Sequence, residues 1–568
     1  MQTRLKVIFA AICCVVIVPS AGAQSGRTPA PARHGMVVTN HYLASEIGRD
    51  MLARGGNAID AAVATAFALA VVLPSAGNIG GGGFIVYHGA DGFVTSFNFR
   101  EKAPMAATAR MYLDENGEVK NNSNHDGILA VGVPGTVAGL ALAHERLGTM
   151  KWADLVKPAV RLADKGFTVS WNMERFLKQV VQRADDYQYA STARVFSKDG
   201  RPYVPGDVLR QKDLARTLKR IQKKGKDGFY AGKTAELIAS YMREHGGLIT
   251  EEDLARYEAV EQPPTHGTYR GYDVYSMAPP SSGGVVLTEM LNILEGYDLA
   301  SLGHNSAAYL HVLTEAMRRA YADRARYLGD PAFNPELPMD KLVSKEYAEQ
   351  LRNSIDMSQA SVSDSADFNM AFESPETTHI SIVDGQGNAV ALTYTLEYSY
   401  GSKIVVDGAG FLLNNEMGDF NPIPGRTTST GLIGTDPNLV APEKRMLSSM
   451  TPTIVALDGQ PRLLIGSPGG RTIINTVLQV ILNVIDHGMN VAQAVEAGRI
   501  HHQWLPDTTR FETWQISPDT RRMYEDMGHR VRLRSSQGSA NGILVDRKNG
   551  LLYGAADSRG FDSRSAGY

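Results

Sequence analysis

The most informative part of the chain is the segment of residues 377–396, which reads TTHISIVDGQGNAVALTYTL. Its first run is rich in β-branched residues, a DGQGN turn follows, and a second strand-like run begins after the turn. This pattern predicts a β-hairpin. A symmetric loop places Val383 opposite Ala389, and the register then places Thr377 opposite Thr395. Facing residues in an antiparallel pair have Cβ atoms about 4.5–5.5 Å apart, so the two hydroxyl groups would lie within hydrogen-bonding reach.

Thr377 is also a candidate nucleophile. A threonine inside a chain has no base of its own, whereas an N-terminal threonine lies beside a free α-amine with a pKa of about 7.7–8.0. A cut between Glu376 and Thr377 would let that amine take the hydroxyl proton, as in other N-terminal threonine nucleophiles. By themselves, residues 377–379 more often mark the start of an ordinary strand. The chemical interpretation therefore needs support from the rest of the chain.

Downstream segments supply groups that suit acyl transfer. Residues 447–453 read LSSMTPT and precede a second predicted hairpin, and residues 465–471 read IGSPGGR before an apolar helical pattern. Gly469 and Gly470 would expose two backbone N–H groups at the positive end of that helix, where such groups stabilise an oxyanion. A tight turn between a strand and a helix uses the same residues, so both interpretations stay open at this point.

Taken in order, these motifs resemble those of the γ-glutamyltransferase (glutathione hydrolase) family of N-terminal nucleophile hydrolases. The resemblance covers nearly the whole chain, and the order of the motifs is far more specific than any one of them. In the last third of the chain they are TTH at 377–379, TYTL at 393–396, LLNNEMGDF at 412–420, LSSMTPT at 447–453 and GSPGG at 466–470. The others are GGNAIDAA at 55–62, GNIGGGGF at 77–84, FRE at 99–101, VPGTVAG at 133–139, PPSSGG at 279–284 and AGY at 566–568.

The resemblance implies an α/β fold, a four-layer αββα sandwich formed by two subunits from one self-cleaved precursor. The large subunit would span residues 24–376 and the small subunit residues 377–568, so that the cut falls between Glu376 and Thr377. Thr377 would be the nucleophile and Thr395 its hydroxyl partner, and the two glycines would bind the oxyanion. The implied substrate-binding residues are Arg100, Glu397, Glu416, Asp419, Ser448 and Ser449.

These residues would bind the charged groups of an α-amino acid. The family assigns Arg100 to the α-carboxylate, helped by Ser448 and Ser449, and a guanidinium is the natural bidentate partner of a carboxylate. Glu416 and Asp419 would hold the α-ammonium group. From the residue alone, Arg100 would instead be interpreted as a surface arginine after a predicted strand.

Two positions depart from the best-known bacterial members of the family. Glu397 stands where they carry asparagine, and the loop of residues 424–431 offers only Thr430 where many carry a lid aromatic. Together with the two acidic residues already named, Glu397 would place three carboxylates around one ammonium, and such groups cannot all ionise freely. Either one carboxyl stays protonated, or Glu397 pairs with a cation, for which Lys403 is a candidate.

The activity implied by the resemblance is γ-glutamyl transfer. Thr377 would attack the γ-amide of glutathione or another γ-glutamyl compound, and the resulting ester would pass to water or to an amino acid or dipeptide acceptor. This chemistry needs no metal and no organic cofactor. Two alternatives stay open. One is an amidase of the same fold acting on glutaryl or cephalosporin-type side chains, against which Glu416 and Asp419 argue, and the other is an exported binding protein with an unprocessed site.

Residues 1–23 have the features of a secretory signal peptide, because Arg4 and Lys6 precede an apolar run shorter than a bilayer span of about 20 residues. Cys13 and Cys14 both lie in this segment, so its removal leaves no thiol for a disulfide, a nucleophile or zinc. Without Arg4 and Lys6 the 57 basic and 60 acidic side chains become 55 and 60, a net charge of −5. This charge disfavours nucleic acid and anionic membranes as partners. We expect a periplasmic or secreted protein without a membrane anchor after cleavage.

Other conspicuous patterns are interpreted as structural. Gly80–Gly83 precedes a strand-like run rather than Gly-Lys-Ser/Thr and a helix, which argues against a phosphate loop. His501 and His502 would point to opposite faces of a strand, which argues against a metal pair. Residues 305–327 have the pattern of a long amphipathic helix. Its arginines are interpreted as a solvated or ion-paired surface, and they are Arg318, Arg319, Arg324 and Arg326.

Overall fold

The structure is a computed structural model that describes residues 27–181, 190–363, 377–427 and 432–568. The predicted signal peptide, Glu376 and Thr430 lie outside these ranges. Among the described helices, none combines the length and the apolar character that a bilayer crossing requires.

Two seven-stranded sheets form the centre of the fold. In chain order the strands are β1 (Ala30–Ala32), β2 (Met36–Thr39), β3 (Gly82–His88), β4 (Val94–Phe99), β5 (Phe167–Thr168), β6 (Ser197–Lys198), β7 (Arg201–Pro202), β8 (Val208–Leu209), β9 (Val260–Gln262), β10 (Thr265–Tyr269), β11 (Tyr272–Ser276), β12 (Thr378–Val383), β13 (Ala389–Thr395), β14 (Thr453–Leu457), β15 (Gln460–Gly466), β16 (Ile500–His501), β17 (Thr509–Glu512), β18 (Val531–Arg534), β19 (Asn541–Asp546), β20 (Leu551–Ala556) and β21 (Arg564–Gly567). One sheet has the order β1-β20-β19-β15-β14-β11-β10 and the other β21-β2-β12-β13-β3-β4-β9. Neighbouring strands are antiparallel throughout both sheets.

Helices occupy much of the remaining described chain. In chain order they are α1 (Tyr42–Ala53), α2 (Ala58–Val72), α3 (Thr136–Leu147), α4 (Trp152–Lys165), α5 (Trp171–Val181), α6 (Ala190–Phe196), α7 (Lys212–Lys224), α8 (Asp227–Tyr230), α9 (Lys233–His245), α10 (Glu251–Ala255), α11 (Gly283–Leu294), α12 (Leu299–Leu302), α13 (Ala307–Tyr327), α14 (Met339–Leu342), α15 (Lys345–Asn353), α16 (Thr472–Ile485), α17 (Val491–Glu496) and α18 (Pro518–Asp526). Short 3₁₀ helices span Lys120–Asn122, Ile128–Ala130, Pro331–Phe333, Glu416–Asp419 and Asp436–Asn438.

Side-chain caps fix where two of the helices begin. Asn57 caps α2 in a capping box with Asp60. The long predicted helix begins at Ala307 rather than Asn305, because Asn305 has a left-handed backbone and the Ser306 hydroxyl caps the first turn.

The two sheets pack face to face, with helices on both outer faces. Helices α2 and α3 cover the sheet that contains β12 and β13, while α11, α16 and α17 cover the other sheet. The sequence of β13 is apolar because both faces of the strand are buried. Val390 and Leu392 pack in the cluster that includes α2, and Ala389 and Ala391 pack in the cluster that includes the second sheet. The predicted four-layer αββα sandwich is confirmed.

The β12–β13 hairpin forms in the predicted register. Val383 lies opposite Ala389, and the pairing continues without a bulge to Thr378 at the start of β12. Thr377 and Thr395 therefore reach the same edge of the sheet.

Candidate active site

Thr377 and Thr395 meet at the open end of the β12–β13 hairpin. Thr377 Oγ1 donates a hydrogen bond to Thr395 Oγ1 at 3.4 Å, and the two residues are only 6% and 4% exposed. Thr395 Oγ1 also accepts the backbone N–H of Glu397 at 2.9 Å, which orients that hydroxyl group. The predicted contact between the two threonines is confirmed.

The residues that follow Thr377 are anchored by Asn40. Its Oδ1 accepts the Thr378 hydroxyl and the His379 N–H, both at 3.1 Å. The same oxygen accepts Asn541 Nδ2 at 2.9 Å. This buried network holds the start of β12 through the backbone and side chains next to Thr377.

His379 is a structural residue of the hairpin. Its Nδ1 contacts Thr393 Oγ1 at 2.8 Å, and its Nε2 contacts Ser381 Oγ at 3.0 Å. Burial lowers the pKa of the His379 imidazole to about 3, so the ring is neutral at neutral pH. A Cβ added at Gly466 would lie 2.2 Å from His379 Nδ1, which explains why a glycine ends β15.

Gly469 and Gly470 form the turn between β15 and α16. Their φ angles are 139° and 57°, which favour glycine. A Cβ on Gly469 would lie 2.4 Å from Thr472 Oγ1, and that hydroxyl donates to the Gly469 carbonyl at 2.7 Å. The predicted arrangement of strand, turn and helix is confirmed, and steric demands alone require glycine at the first position. The oxyanion-binding role of the two N–H groups stays a prediction.

Arg100 is fully buried at the end of β4, so its interpretation as a surface arginine is wrong. Its Nε donates to one main-chain carbonyl oxygen of residues 446–447 and its Nη2 to the other, both at 3.2 Å. Nη1 pairs with Glu416 and lies 3.3 Å from Glu101 Oε2, while Nη2 pairs with Asp419. The guanidinium is buried here because acidic side chains and carbonyl oxygens meet its donors.

Ser448 and Ser449 are both buried and held by hydrogen bonds. Ser449 Oγ accepts Arg324 Nη2 at 2.9 Å, and Ser448 Oγ accepts the Met450 N–H at 3.1 Å. Arg324 Nε also donates to Ser282 Oγ at 2.9 Å, so one guanidinium ties α13 to this segment.

A cavity of about 50 Å³, here called the head-group cavity, brings nearly all the predicted site residues together. Those that line it are Thr377, Thr395, Gly470, Arg100, Glu397, Glu416, Asp419, Ser448 and Ser449. Gly469 lines a neighbouring cavity of about 380 Å³ that also includes Thr377. The structure therefore assembles in one place residues that the sequence spreads over most of its length.

Comparison with known proteins gives the family. The family model described as gamma-glutamyltranspeptidase matches residues 44–567. The chain belongs to the γ-glutamyltranspeptidase family. It is similar to the glutathione hydrolase proenzyme of Escherichia coli (strain K12), with 47% identity over 542 residues that cover 95% of this chain and 93% of the relative.

Solved structures agree with this assignment to the γ-glutamyltranspeptidase family. The cephalosporin acylase from Bacillus halodurans matches with a TM-score of 0.85 and 28% identity, covering 98% of this chain and 99% of that chain. The γ-glutamyltranspeptidase of Helicobacter pylori matches with a TM-score of 0.55 and 48% identity, covering 56% of this chain and 91% of that chain.

The acidic groups around Arg100 shift one another's pKa values in this γ-glutamyltranspeptidase family member. Burial raises the pKa of the Glu101 carboxyl to about 7, although Arg100 opposes the shift. Burial likewise raises the pKa of Glu416 well above its usual value, and the neighbouring carboxylates add to the effect. Burial would lower the pKa of the Arg100 guanidinium, but Glu416, Glu101 and Asp419 outweigh it and raise that pKa. Arg100 therefore stays charged, whereas burial favours the protonated forms of Glu101 and Glu416.

Glu397 lines the head-group cavity and also contacts a histidine. Its Oε1 lies 3.1 Å from Nδ1 of His125, and the His125 ring stacks on Tyr398 with centroids 5.0 Å apart. Lys403, the partner considered from the sequence, has its Nζ 5.6 Å from the centroid of the Tyr398 ring. His125 is therefore a neighbour of the site that the sequence did not single out.

Two of the four arginines of α13 are less exposed than predicted. Arg318 and Arg324 are only 5% and 8% exposed, so neither is solvated, while the predicted ion pairing is confirmed for Arg318. Arg318 is ion-paired, with Glu315 at 3.2 Å and with Asp507. The physical reason is that α13 is covered along most of its length, which periodicity along one helix does not reveal.

Three residues near the site were missed from the sequence: Glu101, His125 and Arg324. Glu101 stands beside Arg100 in the quoted FRE motif, and this position could have indicated a role for it, but none was assigned. Nothing in the segment around His125 marks it, and Arg324 was interpreted only as part of an arginine cluster on a helix. Both residues reach the site only through tertiary contacts.

Potential metal ligands lie outside the head-group cavity. His311, Glu315 and His529 place one ligand atom each within 4.8 Å of the others. The Glu315 carboxylate already pairs with the guanidinium groups of residues 318–319, so a cation there would face like charges. His501 contacts Asn475 and Gln503, in keeping with the structural role predicted for it.

Proposed function

We propose that this chain is an exported γ-glutamyltransferase and glutathione hydrolase that cuts itself before Thr377. The observation that carries the proposal is the head-group cavity, in which a paired threonine nucleophile adjoins a cluster of one arginine and several acidic side chains. The glutathione hydrolase proenzyme similar to this chain supports the same activity.

The charges of the cavity suit the α-amino acid head of a γ-glutamyl compound. This head carries a carboxylate and an ammonium group on one carbon atom. Arg100 would meet the carboxylate together with the Ser448 and Ser449 hydroxyls, and Glu416 and Asp419 would meet the ammonium group. Because Arg100 already pairs with both acidic residues, the substrate would insert its two charges into an existing ion-pair cluster.

The reaction proposed is acyl transfer through an ester. Thr377 Oγ1 attacks the γ-carbonyl carbon, its proton passes to the free α-amine of the same residue, and the oxyanion lies against the N–H groups of Gly469 and Gly470. The amide C–N bond then breaks, and the departing amine takes the proton. Water or an acceptor amine attacks the ester next, the C–O bond breaks, and Thr377 regains its proton. These steps use only protein and substrate groups and need no metal or organic cofactor.

Maturation and location belong to the same proposal. The cut between Glu376 and Thr377 would create the required α-amine and divide the chain into a large subunit of residues 24–376 and a small subunit of residues 377–568. The two subunits would stay together as a heterodimer, because β12 and β13 of the small subunit lie between β2 and β3 of the large one. Residues 1–23 would direct the chain to the periplasm or outside the cell.

A second candidate function is an acylase that removes glutaryl or cephalosporin-type side chains. The likeness to the cephalosporin acylase of Bacillus halodurans favours it. A glutaryl side chain lacks the α-ammonium group, however, and Glu416 and Asp419 would then lose the partner that their charge selects. We therefore favour γ-glutamyl compounds as donors.

One experiment separates these candidates. The purified protein is run on a denaturing gel and assayed with glutathione and with the matched glutaryl compound, which lacks only the α-amino group. Two bands and a strong preference for glutathione are expected. A preference for the glutaryl compound would favour the acylase, and a single inactive band would favour a binding protein.

A further inference from the structure

The larger cavity beside Thr377 is lined by an excess of positively charged side chains, whereas the head-group cavity is not. It has a volume of about 380 Å³, within the range of about 300–1,000 Å³ typical of ligand sites. Four arginines line it, against one acidic side chain, Asp562. We call it the arginine cavity, and its arginines are Arg175, Arg510, Arg534 and Arg559.

One of these arginines is already neutralised by its own neighbours. Arg559 pairs with Glu512 at 2.6 Å and with Asp557 at 3.0 Å. The same Glu512 lies opposite Arg534 in the pairing of β17 with β18, yet its carboxylate is directed to Arg559. Asp562 accepts the Ser170 hydroxyl at 2.7 Å. The cavity therefore keeps an excess of positive charge.

That excess comes mainly from two exposed arginines on different elements. Arg175 lies on α5, and Arg534 ends β18. Arg510 of β17 adds a third guanidinium to the lining. Guanidinium groups bind carboxylates bidentately, so this lining fits a ligand with a carboxylate group.

Thr377 lines both cavities, and the two glycines of the proposed oxyanion pair are divided between them. A donor whose head lies in the head-group cavity presents its γ-carbonyl at Thr377. The head-group cavity is too small to hold the rest of a peptide donor as well. The part of the donor beyond the bond to be broken would therefore extend from Thr377 into the arginine cavity.

We propose that the arginine cavity binds the carboxylate of the amine partner, both the peptide released from the donor and the amino acid or dipeptide acceptor. The inference rests on the proposed γ-glutamyl transfer and names the partner class of its second step. In that step the acceptor nitrogen forms a C–N bond with the ester carbon, the ester C–O bond breaks, and the proton of the amine returns to Thr377 Oγ1. The arginines hold the acceptor by its far end and leave its amine free to attack.

The test compares acceptors that differ only at the C-terminus. Fully processed protein is assayed for transfer from a γ-glutamyl donor to glycylglycine and to glycylglycine amide. In the double variant Arg175→Gln/Arg534→Gln, the preference in kcat/KM for the free carboxylate should fall about tenfold, the size expected for lost hydrogen bonds to a charged group. Arg532→Gln is the matched control, because Arg532 is an exposed arginine of β18 outside the cavity lining.

The outcomes separate this inference from the function on which it rests. A wild-type protein that neither hydrolyses glutathione nor transfers to any amine would overturn the proposed function. Normal wild-type transfer, with the same carboxylate preference in the double variant and in Arg532→Gln, would overturn the inference alone. An equal loss with both acceptors would show that the arginines support the fold or the maturation instead.

Discussion

Arg100 and Glu416 form an ion pair in which neither side chain has any exposure to solvent. Two charges removed from water are costly unless each meets further partners, and removing one of them leaves the other uncompensated at a cost of about 3–5 kcal/mol. If these two residues bind the substrate as proposed, substrate binding is coupled to the stability of the cavity.

Arg100→Lys should raise the KM for glutathione at least about tenfold, because an ammonium group keeps the charge and loses the bidentate geometry. Cleavage into two subunits should proceed as in the wild type, since maturation does not use the substrate carboxylate. Steady-state kinetics on protein shown by gel to be processed would check this. An unchanged KM in the processed variant would show that another residue binds the carboxylate.

Thr377→Ala should remain one chain and be inactive. The hydroxyl group is the proposed nucleophile both in cleavage and in turnover. N-terminal sequencing of wild-type protein should find a small subunit that begins at Thr377. Thr378→Ser is the control, because it keeps the hydroxyl that donates to Asn40 and should still be cut. A Thr377→Ala protein that still splits would contradict the assignment.

Glu101 makes the stability of the protein depend on pH. Burial raises its pKa from 4.5 to about 7, so the folded state binds a proton more tightly than the unfolded state. Proton binding by Glu101 therefore adds to the free energy of unfolding. This contribution is complete below about pH 4.5 and is lost as the pH rises through 7, at a cost on the order of 3 kcal/mol. Glu101→Gln should flatten the fall in melting temperature between pH 5 and pH 8. Parallel curves for the two proteins would show that Glu101 stays ionised.

Glu397 should make the KM for glutathione depend on pH, because it adds a carboxylate to a cavity already rich in them. Glu397→Asn should weaken that dependence while the chemistry at Thr377 changes little. His125→Asn should change the same profile, since His125 Nδ1 lies 3.1 Å from the Glu397 carboxylate. Superimposable KM profiles for all three proteins would place Glu397 outside head-group recognition.

Arg324→Lys should raise the KM for glutathione about threefold to tenfold, the net contribution of one typical hydrogen bond. A lysine cannot donate in one fixed geometry to both Ser282 and Ser449 as Arg324 does. Arg326→Lys on the same helix is the matched control, because its side chain is 58% exposed. Equal kinetic constants for the two variants would remove Arg324 from the supporting residues of the site.

Local patterns alone predicted the hairpin and the register that joins Thr377 to Thr395. Both depend on short-range rules, namely β-branched alternation, turn chemistry and a side-chain period of two. The strand–turn–helix around Gly469 was predictable for the same reason. The order of short motifs along the chain also indicated the family, and the resemblance to that family implied the αββα sandwich.

Only the tertiary structure revealed what surrounds Arg100, Glu397 and Ser449. Their partners Glu416, His125 and Arg324 come from distant parts of the chain, and no local period relates them. Burial decided the rest. A charged side chain at the end of a strand looks exposed in sequence, and whether it is desolvated depends on which elements pack over it, a property of the whole fold rather than of any segment.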